Sequence, residues 1–155
     1  MRLLAVAALS VLLISCSQPP KPAASEAPKV VPPAKPTDES RRFPKANLLK
    51  TEVVDTALMG KSFMPGGTAA HYRKGKTEYD MFVARTASAN DAAMLLGDWR
   101  KALTDPRFVA SFGGYAGADA GTPVFVFAKG PWVAGIKGLS QKDADLEART
   151  LAGAL

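Results

Sequence analysis

Every glycine, phenylalanine, tyrosine and tryptophan of this 155-residue chain lies at or beyond position 43. Seven of its twelve prolines (Pro19, Pro20, Pro22, Pro28, Pro32, Pro33 and Pro36) crowd into 17–42. A stretch of repeated Pro, Lys and Ala without aromatics buries too little apolar surface to offset its ordering entropy. It is therefore expected to be a disordered, semi-rigid tether of the polyproline type. Its 26 residues, at about 3.1 Å each, reach about 80 Å at most. The remainder, 43–155, is 113 residues long. That is enough for one small domain with a modest core.

Ahead of the tether stand a positive Arg2, an almost unbroken apolar run from Leu3 to Ile14, then Ser15 and Cys16, the only cysteine. A charged start, a short apolar run and small residues form the pattern of a secretory signal. A signal-anchor helix needs about 20 apolar residues to span a bilayer, and this run is shorter. An ordinary signal peptide would leave an unpaired thiol in an oxidising compartment. Leu13-Ile14-Ser15-Cys16 resembles the lipobox of bacterial lipoproteins. The resemblance implies a thioether-linked diacylglyceryl group on Cys16, cleavage after Ser15 and acylation of the new amino terminus. One acyl chain anchors marginally, at about 0.8 kcal/mol per buried CH₂, and two or three anchor firmly. In Gram-negative lipoproteins an aspartate after the cysteine favours inner-membrane retention. Ser17 stands there instead, so the family pattern implies an outer-membrane anchor facing the periplasm. The expected division is signal peptide 1–15, lipidated cysteine and tether 16–42, and a single domain 43–155.

Charge narrows the partners. The whole chain carries +6, but the excess is spread out, with 14 basic and 11 acidic residues in 43–155. Nucleic-acid binding wants basic residues gathered on one face, so none is expected. The expected partners are the membrane, through its lipid, and an envelope protein or polymer.

Within the domain, Ala69 to Arg73 runs into Lys74-Gly75-Lys76 and returns as the alternating Thr77 to Arg85. Val124 to Ala128 meets Lys129-Gly130-Pro131 and returns as Trp132 to Ile136. Both predict hairpins, with glycine at the second central position of the turn. Val124-Phe125-Val126-Phe127 is apolar on both faces, which places it centrally with a helix over one side. Ser88 to Asp91 and Ser140 to Asp143 read as capping boxes. Ala92, Leu95, Leu96, Trp99, Ala102 and Leu103 form one helical stripe, stopped by Asp105-Pro106. Ala144, Ala148, Leu151, Ala152 and Leu155 form another, with Leu139 as its staple. The pattern predicts a two-layer α+β sandwich, in which an antiparallel sheet from two hairpins carries two amphipathic helices (ββαββα-like). Leu48 to Val54 is read as an edge strand or a docking segment.

The side chains that carry chemistry are few. Gly60-Lys61-Ser62 ends like a Walker A loop, but Asp55 occupies the required upstream glycine and Pro65-Gly66-Gly67 denies the following helix. His71, the only histidine, reads as a half-exposed sheet residue. Glu78 and Asp80 share a strand face and read as solvated acids rather than a glycosidase pair. Trp99, Trp132, Phe125 and Phe127 read as core. The glycine-rich run 113–121 is expected to be a surface loop. Its Tyr115, Gly113, Gly114 and Gly117 are the candidate ligand-binding residues, acting as a mobile lid. No catalytic residue, metal ligand or cofactor is expected.

The segment Thr122 to Leu139, followed by its Ala/Leu helix, is similar to uncharacterised bacterial envelope domains. That resemblance implies a fold and brings no active residues. The expectation is a lipid-anchored envelope protein whose domain binds or scaffolds another envelope component without catalysis. The alternatives are a small-ligand or lipid-binding module, and a hydrolase using Glu78 or His71.

Overall fold

The structure, a computed structural model, describes residues 35–155; Cys16 and most of the proline-rich segment lie outside them. It is an α+β fold built on one seven-stranded, wholly antiparallel sheet. In chain order the strands are β1 (Leu48–Thr56), β2 (Pro65–Lys74), β3 (Thr77–Arg85), β4 (Thr104–Val109), β5 (Gly114–Asp119), β6 (Thr122–Lys129) and β7 (Trp132–Lys137). Helix α1 (Ala89–Ala102) follows β3, and helix α2 (Gln141–Gly153) follows β7. Across the sheet the order is β1-β2-β3-β7-β6-β5-β4. Two meanders, β1–β3 and β4–β7, are thus joined by α1 and meet along a β3–β7 seam.

The two hairpin turns expected from the sequence contain two residues each, as does a third between β5 and β6. Lys74 pairs with Thr77 and Lys129 with Trp132. Gly75 and Gly130 therefore hold the first central position, not the expected second, with φ of +62° and +53°. A positive φ at the first central position suits the right-handed twist of the flanking strands.

Strand alternation then decides the layers. Met81, Val83, Phe125, Phe127, Ala134 and Ile136 pack with Ala144, Ala148 and Leu151 of α2. Their sequence neighbours Phe82, Ala84, Val124, Val126 and Val133 pack with Ala92, Leu96 and Trp99 of α1. The helices lie on opposite faces, so the sheet is the middle of three layers. The expected two-layer sandwich is corrected on this point. A β6 apolar on both sides meets a helix on each side, and that is the physical reason for the difference.

Three further corrections concern boundaries and elements. The segment 113–121 is not a lid, because Gly114–Asp119 is strand β5, paired on both sides. Asp105-Pro106 does more than stop α1, which ends at Ala102; it lies within edge strand β4. Proline is tolerated there because an edge strand needs no outward N–H partner. The domain also begins before residue 43. Glu39 N–H donates to Thr68 Oγ1 at 3.0 Å, and Thr68 is the only buried polar residue among those described. Just downstream, the 3-10 turn Ser40–Arg42 places the Arg42 guanidinium 4.3 Å from the Trp132 ring centroid and lets it donate to the Ala154 carbonyl. Leu48 to Val54 falls within edge strand β1. Both helices open as their sequence predicts, with Ser88 Oγ accepting from Asp91 N–H at 3.1 Å and Ser140 Oγ from Asp143 N–H at 3.3 Å.

Candidate functional site

Sheet register gathers the ionisable groups into one transverse row on the α1 face. His71 on β2 pairs with Asp80 on β3, which pairs with Lys137 on β7. Lys50 of β1 stands opposite His71 on the outer side. These residues share a face with Phe82 and Val124, and they continue the apolar layer under α1 with charge.

Two ion clusters make up the row. His71 Nδ1 lies 2.6 Å from Asp80 Oδ1, and Nε2 lies 3.2 Å from Glu52 Oε1. The Nδ1 contact is a directed hydrogen bond. The Nε2 contact is close without good alignment, so Nε2 has no hydrogen-bond partner among the described residues. The imidazole is the main cause holding the Glu52 carboxyl below its ordinary value, against the opposing effect of burial and with Lys50 adding to it. At the other end Lys61 donates to Asp119 Oδ1, and Lys137 donates to Oδ2 at 3.1 Å. Asp119 keeps 13% of its side-chain exposure. The Lys61 hydrogen bond, helped by Lys137, holds its carboxyl below the ordinary 3.8 despite burial.

A depressed folded-state pKa stabilises the fold above the unfolded value, and that stability is lost as pH falls through the folded one. Asp119→Asn is therefore expected to cost about 2 kcal/mol at neutral pH, the size of a hydrogen bond to a charged group. Urea unfolding should show the gap between variant and parent beginning to narrow as pH falls past the ordinary 3.8, and closing only at the lower pH where the folded parent carboxyl itself takes up a proton.

Chemically, this row ties strands together. Each imidazole nitrogen faces a carboxylate, and no serine or threonine hydroxyl takes part in the cluster's bonds. No group of three metal-ligating residues suited to an ion is found among the described residues. Glu78, the other acid of the strand pair, lies across from Arg73, which donates to it at 2.8 Å. Trp99, Trp132, Phe125 and Phe127 are all buried.

The candidate ligand-binding residues disperse. Gly113 sits in the exposed turn before β5, and Gly114 is buried within the strand. Half-buried Tyr115 leans on Phe108, centroids 5.6 Å apart, with the Arg100 guanidinium 5.6 Å from its ring. Gly117 borders a cavity of about 300 Å³ with Ala116, Phe125, Leu139 and Ser140. Sequence reading missed Asp119, Lys137 and Glu52. The only local signal was Lys61, met in a motif that failed for other reasons. Comparison of the chain with family models, curated proteins and solved structures returns no match.

Proposed function

We propose that this is a lipid-anchored cell-envelope protein whose α+β domain binds or scaffolds another envelope component and catalyses nothing. The observation that carries the reading is Leu13-Ile14-Ser15-Cys16 at the end of a short apolar run, followed by a proline-rich tether. The domain supports it indirectly, since its histidine and the acids around it are spent on cross-strand ties. Metabolic labelling with palmitate should mark the full chain, and Cys16→Ala should abolish the mark and move the protein from the envelope pellet to the soluble fraction. An unmarked parent chain, or a Cys16→Ala variant that still sediments, overturns the reading. The lipobox resemblance, with Ser17 after the cysteine, supports an outer-membrane anchor facing the periplasm.

A second reading is favoured by the 300 Å³ cavity beside Gly117, whose lining of Ala116, Phe125 and Leu139 suits a small, mostly apolar ligand. The cavity, rather than a lid, would hold it. Native mass spectrometry of the protein purified from the envelope pellet separates the two readings, since a retained small mass supports only the second.

A further inference from the structure

We propose that β1 pairs edge to edge with β1 of a second copy of this chain, antiparallel, with Thr51 on the two-fold axis. This interface goes beyond the anchoring and scaffolding described above and does not depend on them.

The two edges of the sheet are unlike. Strand β4 is six residues long, contains Pro106, breaks register between Thr104 and Arg107, and has Asp105 at φ +49°. Those are the devices that blunt an edge against pairing. Strand β1 is nine residues long and contains no proline. Its one irregularity lies between Leu48 and Lys50, and from Lys50 to Thr56 its register against β2 is unbroken. It also holds two of the five exposed large apolar residues among those described, Leu49 at 55% and Val53 at 44%.

Backbone phase leaves the strand ready to pair. A two-residue turn closes on a mutually hydrogen-bonded pair, here Lys74 and Thr77. Alternate β2 residues from Lys74 to Thr68 thus direct their amides and carbonyls to β3, and Ala69 and His71 direct theirs to β1. Their partners Glu52 and Lys50 face inward, so Thr51 and Val53 between and beyond them direct backbone groups outward.

Side chains select the partner. With the axis at Thr51, each Lys50 lies opposite Glu52 of the second copy, and each Leu49 opposite its Val53. Opposite charges and apolar pairs directly across a ladder stabilise it. Moving the axis to Lys50 or Glu52 sets like charges against each other. The side chains of Lys50 and Glu52 are 64% and 46% exposed and form an ion pair with each other within the chain at 3.4 Å. An exposed pair of that kind is worth little, so both can exchange it for the opposite charge across the axis. A sequence complementary to itself in one antiparallel register fits a closed two-fold dimer.

The test uses the full chain in its membrane preparation, with the parent chain, which carries only Cys16, as the background for thiol oxidation. In the proposed register the two Thr51 Cα atoms lie about 5.5 Å apart, within disulfide range. The two Asp55 positions lie about 27 Å apart. Thr51→Cys should give a disulfide dimer on mild oxidation, and Asp55→Cys should give none above background. Lys50→Glu or Glu52→Lys in the Thr51→Cys chain should cut dimer yield about tenfold, and combining the two should restore it. Circular dichroism of each variant separates a lost interface from a lost fold. Equal cross-linking at 51 and 55, none at 51 in a folded chain, or no restoration by the double exchange would overturn the proposal. A strand supplied by a different protein would appear as one of these failures.

Discussion

Replacing Trp99 by alanine is expected to lower the unfolding free energy by about 3–5 kcal/mol, the range for emptying a buried tryptophan site. Trp99 has no exposed surface. Its ring stacks on Phe82 at 5.5 Å and meets Phe63 edge-on at 5.6 Å, and Nε1–H donates to Met64 Sδ at 3.1 Å. Lys61, which also binds Asp119, sits 5.7 Å from the same ring centroid. The substitution thus removes the contact surface shared by α1, β3 and the β1–β2 connection. For a domain of this size the melting temperature should fall by about 12–20 °C. A calorimetric shift under about 5 °C would mean that the α1 face collapses around the gap, and that this tryptophan is not the pillar described.

The second large effect is expected from Gly135→Ala on β7. A methyl group there would lie 2.6 Å from the Phe125 carbonyl oxygen and 2.5 Å from Phe82 Cζ. The ring can rotate aside, but the carbonyl belongs to the β6 backbone beside it. Overpacking a filled core costs about 1–3 kcal/mol, and an obstacle made of main chain belongs at the top of that range or beyond. Adding Phe82→Leu should recover the ring's share only, leaving the double variant measurably less stable in urea than Phe82→Leu alone. If the double variant matches Phe82→Leu, the backbone clash is relieved by strand movement and the reasoning fails.

How much of this was legible beforehand depended on where the determining forces act. Both glycine turns, both serine caps and the apolar stripes of α1 and α2 are local, and the sequence displays them. The doubly apolar run 124–127 indicated an inner strand, but with a helix over one side only, where the structure has a helix on each. Nothing local distinguishes a helix above the sheet from one below, so the third layer was hidden. Strand β5, Gly-Tyr-Ala-Gly-Ala-Asp, has a single aromatic and no β-branched residue. Its extended form comes from ladders on both sides rather than from propensity. The charged row was illegible for a related reason. Glu52, His71, Asp80, Asp119 and Lys137 are scattered over 86 positions, and only pairing register brings them into line.

The grip of Arg42 on the Ala154 carbonyl and on the face of Trp132 has a mechanical consequence. Tension arriving from the proline-rich side does not reach β1 alone, because the same arginine hands part of the load to the last turn of α2 and to the start of β7. A pull at the front of the domain is shared with its back, and the outermost strand is shielded from being peeled away first.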